Sequence, residues 1–324
     1  MLKHIVQRFL SAILILLAIS FFTFWLMQAT PGNFFDSLKL NPQISPETID
    51  HYEKLYHLHD PFLVQYGHWL LNALHGELGY SLYYNIPVTH VLGSRLFNTF
   101  ILSLASLLLT WSVAIPLGIW ASLRHNHAID RALSVLSYAA LSAPGFYLAV
   151  LLLYAASRWG NLPLGGMHSP HYDSMSLAGK IADTLCHLVI PATVLSLASI
   201  GSLQKTMRST MLGVLRQQYI LAARAKGLSE GVVIYRHALR NAFNPLVTLL
   251  GFEFASLLSG AALIEIVCSW PGLGNLLLTA VRAKDVYLVM SSTLMAGVML
   301  TFGMILADIL LVWVDPRIRY EKSN

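Results

Sequence analysis

Nineteen consecutive residues, Phe9 to Met27, carry no charged side chain, and apolar stretches of similar length recur at about 99–121, 132–156, 188–203, 243–267 and 287–313. A run of about 18 or more apolar residues is long enough to cross a bilayer as a helix. Inside lipid every backbone N–H and C=O must find a partner, which leaves only helices and closed barrels. Barrel strands alternate apolar and polar residues over about ten positions, and these runs are continuously apolar instead. Only 11% of the chain is charged and 56% is hydrophobic, against about a quarter charged in a soluble domain. The expected fold class is an all-α polytopic membrane protein with six transmembrane helices.

The first run follows Lys3 and Arg8 and resembles a leader. It outruns the roughly 7–15 residues of a secretory core and lacks a small-x-small cleavage site, since it ends in Gln28-Ala29-Thr30-Pro31. It is read as a retained span. Residues 28–98 are acidic and polar, with Asp36, Glu47, Asp50, Glu53, Asp60 and Glu77 against Lys39, Lys54 and Arg95. Ser45, Pro46 and Glu47 look like a helix start. Residues 63–76 carry leucines and aromatics at helical spacing, too few to span and suited to the membrane interface. This section is expected to be an external cap rather than a soluble domain. Pro116 and Pro191 lie inside two spans, and Pro144-Gly145 breaks a third. Proline is tolerated there when neighbouring helices or water satisfy the freed carbonyls.

Orientation follows from counting. With both termini inside, fourteen of the twenty-one Lys and Arg fall on inner segments, and excess positive charge on short loops marks the cytoplasmic side. The same rule accounts for the pI near 9.2 without invoking nucleic acid. Half of the inner cations lie in residues 205–240: Lys205, Arg208, Arg216, Arg224, Lys226, Arg236 and Arg240, against Glu230 as the one acid. Met211 to Gly227 is rich in good helix formers, and Gly227 is suited to end a helix in the left-handed conformation. Ser229 can cap a second helix. The expected result is a helix–turn–helix elbow with Ala222 and Ala223 at its tip. Small residues there admit a close partner, and the cations select one electrostatically. A solvated basic loop touching anionic lipid headgroups fits the same residues.

The sequence resembles the membrane-spanning permease subunits of ABC importers, in the branch that serves dipeptides, oligopeptides and nickel. That family carries a cytoplasmic Glu-Ala-Ala, three residues, Gly, nine residues, Ile-x-Leu-Pro pattern that docks as a coupling helix into the ATPase. Ala222, Ala223, Gly227 and Leu239 match it, while Leu221, His237 and Arg240 stand where the Glu, Ile and Pro would be. Further matches are Ile86 to Val88, Leu78 to Ser81, Trp270 to Gly274 and Asp315 to Tyr320. The resemblance implies a type I importer permease fold with both termini cytoplasmic, one permease domain over 1–324, and an ATPase-coupling loop of Ala222, Ala223, Arg224, Lys226, Gly227, Leu228, Ser229, Arg236 and Arg240. It implies a second homologous permease, two ATP-binding subunits that hold the ATP and Mg, and an external substrate-binding protein. It also implies an external region at Trp270, Pro271, Gly272 and Gly274 that touches substrate or the delivering protein. Interfacial tryptophan and ordinary turn chemistry are the alternative account of those last residues.

Other chemistry is sparse. The nearest approach to a phosphate loop, Gly179-Lys180, has Ser174 where its first Gly should stand and Ile181 after the Lys, so ATP hydrolysis is expected elsewhere. No His-Glu-x-x-His occurs, and neither a catalytic residue nor a metal site is expected. His51, His57, His59, His68 and His75 could meet a borderline metal, but His125 and His127 repeat the spacing on the inner side. Cys186 and Cys268 are expected as separate buried thiols, with a disulfide as the alternative. Glu253, Glu265 and Asp308 lie in or near spans, where a carboxylate is costly and tends to face a cavity or a partner. Ser256 and Gly260 share the face of Glu253. That face either borders a translocation path or makes an interhelical hydrogen bond. A secondary transporter or channel would need buried ion-coupling pairs and inverted repeats, and neither is evident.

Overall fold

In a computed structural model of the chain, residues 2–32, 34–39, 45, 47, 54, 60–160 and 162–314 are described. The helix start expected at residues 45–47, the histidines 51, 57 and 59, and the 315–320 motif lie wholly or largely outside them. The described residues are overwhelmingly helical. Four helices among them are long and apolar enough to cross a membrane, and a sharply bent pair would make a fifth span. The chain forms two compact units, residues 1–99 with 271–299 and residues 100–270 with 300–324.

The first unit contains helix Leu2–Ala29 and the short helix Phe62–Leu74. Phe62, Tyr66 and Trp69 recur at helical spacing, so one face of the short helix meets Phe21 and Phe24 edge-on or tilted. The hydroxyls of Ser20 and Tyr66 lie 2.9 Å apart, and Gln28 Nε2 donates to Gln65 Oε1 at 2.9 Å. Leu63, Leu71 and Leu74 remain exposed on the same short helix. A two-residue hairpin pairs Tyr80 with Pro87 and Ser81 with Ile86, antiparallel. Its strands lead into helix Val88–Leu123.

The stretch after Cys268, expected as a turn, forms helix Leu273–Arg282. Leu273, Leu276, Leu277 and Ala280 fall at the i, i+3, i+4, i+7 positions of an apolar stripe. They pack with Leu78, Val88, Val91, Leu92 and Leu288. Asp285, fully buried, fixes the start of helix Val286–Val314. Its carboxylate accepts from Ser81 Oγ at 2.7 Å, from the Tyr83 N–H at 3.1 Å and from the Leu288 N–H at 3.2 Å.

The second unit is organised on helix Leu177–Leu215, started by Ser176, whose hydroxyl accepts from the Gly179 N–H. Helices Ala128–Ser142, Gly145–Trp159 and Asn244–Val267 pack along it. The first two form the pair bent by 104°. The bend follows from Pro144, which offers no N–H and biases the residue before it away from helical geometry; Ala143 is extended there, at ψ 128°. Pro116 and Pro191, by contrast, lie within unbroken helices.

Helices outrun the apolar stretches that announced them. Val88–Leu123 begins eleven residues ahead of position 99, and Leu177–Leu215 extends past 188 and 203 at both ends. At 1.5 Å per residue a helix of 39 residues is about 58 Å long, roughly twice the hydrocarbon thickness. Both cysteines are free, with Cys268 buried and Cys186 exposed; only Cys268 matches the expectation of a buried thiol.

Candidate functional site

The basic elbow is built from several short pieces rather than two helices. The helix expected from Met211 to Gly227 is interrupted at Arg216 and Gln217. Gln217 turns to ψ 146° and a new helix runs Gln218–Ala225. Its end is a Schellman motif: the Leu228 N–H reaches the Ala223 carbonyl, and the Gly227 N–H donates to the Arg224 carbonyl. That geometry needs a left-handed residue, and Gly227 supplies it at φ +77°. A Cβ at Gly227 would meet nothing within 4 Å. Gly227→Ala therefore adds backbone strain alone, about 1–2 kcal/mol, and a thermal-unfolding midpoint a few degrees below wild type in purified protein checks it.

Ser229 stands at the N-cap of Glu230–Val232, where its side chain makes no capping hydrogen bond. A π-helical turn, Val233–Ala238, and a short helix, Leu239–Ala242, complete the elbow. Asn241 Nδ2 ties the second arm to the first by donating to the Tyr219 hydroxyl at 2.8 Å.

The base of the elbow is dry and its tip is open. Ile220, Ala223, Val233, Ala238 and Ala242 are buried with Leu203, Met207 and Met211 of the long helix. Ala223 thus packs inward, while Ala222, Lys226, Gly227, Ser229, Arg236 and Arg240 are exposed. Leu221, Leu228, Val232 and Tyr235 are exposed beside them.

Three of the seven cations are already engaged: Lys205 lies over the Tyr138 ring, and two arginines are ion-paired. Arg224 makes a bidentate pair with Glu230, Nε to Oε1 at 2.8 Å and Nη2 to Oε2 at 3.2 Å. Arg208 reaches Asp130 with Nε to Oδ1 at 2.5 Å and Nη2 to Oδ2 at 2.8 Å. This second pair had no local signal, because its partners lie 78 residues apart. The near hint was Asp130 in the first turn of a helix-forming run, where an acid is favourable.

The remaining sequence candidates separate. Glu253 is half-buried in Asn244–Val267, with the Ser199 side chain near its carboxyl. Ser256 and Gly260 on the same helix are exposed. In the second unit Trp270 is fully buried among Leu102, Leu188, Ala192 and Ala261, so its ring fills a core rather than a membrane-interface belt. In the first unit Pro271 is half-buried, and its carbonyl accepts from Asn98 Nδ2 at 2.8 Å. Gly272 is buried and caps the next helix, and Gly274 is half-buried within that helix.

Residues 114–320, which include the whole elbow, match the family described as binding-protein-dependent transport system inner membrane component. Residues 1–103 match the N-terminal family of the same membrane components. The chain belongs to this family. An oligopeptide transport system permease protein, AppB of Bacillus subtilis, is 36% identical over 322 residues, covering 99% of this chain and 100% of its own. A Brucella suis protein provisionally named a peptide permease is 37% identical over 325 residues, covering 98% and 99%. A dipeptide transport system permease protein, DppB of Alkalihalophilus pseudofirmus, is 30% identical over 334 residues, covering 99% and 100%. As an inner membrane component of a binding-protein-dependent system, the chain is a multi-pass transport subunit, which accords with its several apolar helices.

Proposed function

We propose that this inner membrane component forms half of a peptide translocation pathway and is driven through its elbow by separate ATP-binding subunits. The observation that carries the coupling reading is the contrast within the elbow. A dry base anchors it to the longest helix, and an open tip combines small residues, exposed leucines and unpaired charge. A polar loop that only touched lipid headgroups would not need Ala223, Val233 and Ala238 locked against Met207 and Met211. The peptide reading rests on the full-length relatives whose names specify oligopeptides and dipeptides.

In this reading residues 1–324 form one permease domain with six spans at about 9–27, 99–121, 132–156, 188–203, 243–267 and 287–313. Both termini are cytoplasmic, residues 28–98 cap the outside, and residues 205–240 hang below the bilayer. A second homologous permease supplies the other half of the pore. Two ATPase subunits bind ATP and Mg, and an external binding protein delivers substrate toward the 271–274 turn. Closure of the ATPases pushes the elbow, the spans tilt, and the cavity opens outward; hydrolysis resets it.

Ala222→Trp tests the contact directly. A bulky side chain at an exposed, closely approached position should lower co-purification of the ATP-binding subunits about tenfold, or about 1.4 kcal/mol of affinity. Undiminished co-purification together with wild-type uptake would remove the elbow from the interface. The Glu253, Ser256 and Gly260 face is proposed to border the path. At matched membrane abundance, Glu253→Gln is expected to slow peptide uptake severalfold, and unchanged uptake would leave Glu253 with a role in helix packing alone.

A further inference from the structure

Four contacts join the inner half of helix Leu177–Leu215 to helix Ala128–Ser142, and they follow one another along a single seam. Gly201 lets the helices touch, since a Cβ there would fall 2.7 Å from the Ser137 carbonyl oxygen. Next, the buried Ser137 hydroxyl donates to Gln204 Oε1 at 2.8 Å. Lys205 Nζ sits 3.8 Å above the Tyr138 ring. The seam ends at Asp130, which takes both Arg208 bonds, the Asn126 N–H at 3.0 Å and the His125 imidazole at 3.3 Å. Arg208 Nη2 also lies 3.1 Å from His125 Nδ1.

Gly201, Gln204 and Arg208 are spaced three and four apart, and Asp130 and Ser137 seven apart, so each set occupies one helix face. On the same long helix Leu203, Met207 and Met211 hold the elbow. From the other flank, Gly118 brings a third helix against Met207 and the Gln204 carbonyl, where a Cβ would come within 2.6 and 2.8 Å. Elbow, long helix and Ala128–Ser142 therefore share one tightly packed node. The next place where the chain can bend is the 104° break before Gly145.

We infer that Asp130 and Arg208 are positioning residues for coupling, tying the elbow to Ala128–Ser142 so that its displacement is delivered undivided to the break at 143–144. The inference rests on the elbow being where the ATP-binding subunits push. The Asp130 side chain is only 4% exposed. A buried, multiply bonded carboxylate transmits force where an exposed pair such as Arg224–Glu230 would slip, because exposed pairs are weak and readily exchanged with water.

The test uses the assembled importer in proteoliposomes, with Cys186→Ser and Cys268→Ala as background. Asp130→Asn is expected to retain the docked ATP-binding subunits and their hydrolysis while peptide imported per ATP falls about tenfold, toward the lower end of the usual coupling between sites. If that variant does not accumulate, Asp130→Glu keeps the charge, changes the reach and supplies the same reading. In Asp130→Cys with Arg208→Cys, uptake per ATP is expected to be equally low, and bridging the thiols with a short bis-methanethiosulfonate to restore most of it. Wild-type stoichiometry in Asp130→Asn or Asp130→Glu, or a bridge that fails to restore uptake, overturns the inference. Docking lost in Ala222→Trp but kept in Asp130→Asn is the expected separation of the two roles. Full docking and uptake in Ala222→Trp would instead overturn the elbow assignment beneath both.

Discussion

Trp270→Ala is expected to be among the most damaging single truncations in the chain, lowering stability by about 3–5 kcal/mol, the usual cost of emptying a buried aromatic site. The ring is fully buried among Leu102, Leu188, Ala192 and Ala261, with Met167 and Leu195 packed around them. In a membrane protein little of that cost comes from water, because lipid tails are as apolar as leucine. It comes from lost dispersion contacts in a cavity that helices of this length cannot collapse to fill. Trp270→Phe should recover roughly half of the loss, since it restores part of the volume. Thermal unfolding of the detergent-solubilised protein, followed by size-exclusion recovery, ranks the three. Equal midpoints for wild type and Trp270→Ala would contradict the packing described.

Asp285→Ala carries the second large effect, from polar rather than apolar loss. One carboxylate satisfies the Ser81 hydroxyl, the Tyr83 N–H and the Leu288 N–H. Truncation strands all three donors in a buried site, at about 1–3 kcal/mol for each group left unpaired. It also removes a negative charge from the start of helix Val286–Val314, where the helix dipole favours an anion. Asp285→Asn keeps one acceptor oxygen and is expected to lose less than half as much. The order wild type, Asn, Ala in thermal midpoint supports the assignment; an alanine variant as stable as wild type would show that water or a rearranged hairpin satisfies the donors.

What could be read from the chain alone was whatever local chemistry controls. Gly227 was legible as a left-handed stop, since a glycine after a run of helix formers has few other uses. Pro144 followed by Gly145 was legible as a break, and residues 63–76 as a short helix with aromatics and leucines at helical spacing. The family, too, stood on residues within a few positions of one another. Features set across long sequence distances were not legible. Arg208 counted as one more free cation until Asp130, far away in sequence, was found to hold it. Trp270 read as an interface residue because tryptophan commonly is one, and only the surrounding helices show that it fills a core. Helix Val88–Leu123 was placed too late because His90, Ser94, Arg95 and Asn98 make its first turns polar, although Val88, Val91 and Leu92 already mark a buried stripe. Arg216 and Gln217 carry no proline or glycine to announce the break, which is set by the elbow folding back onto Met207 and Met211.

The central claim is that the elbow meets the ATP-binding subunits. Its most direct measurement places a photo-crosslinking amino acid at Leu228, on the exposed tip, in cells making the whole importer, with Leu177 at the far end of the long helix as the control. Adducts between Leu228 and an ATP-binding subunit, strengthened by ATP and absent from Leu177, are the expected result. Adducts from Leu177 and none from Leu228, or labelling of a Leu228→Cys thiol by an impermeant maleimide added outside intact cells, would contradict it.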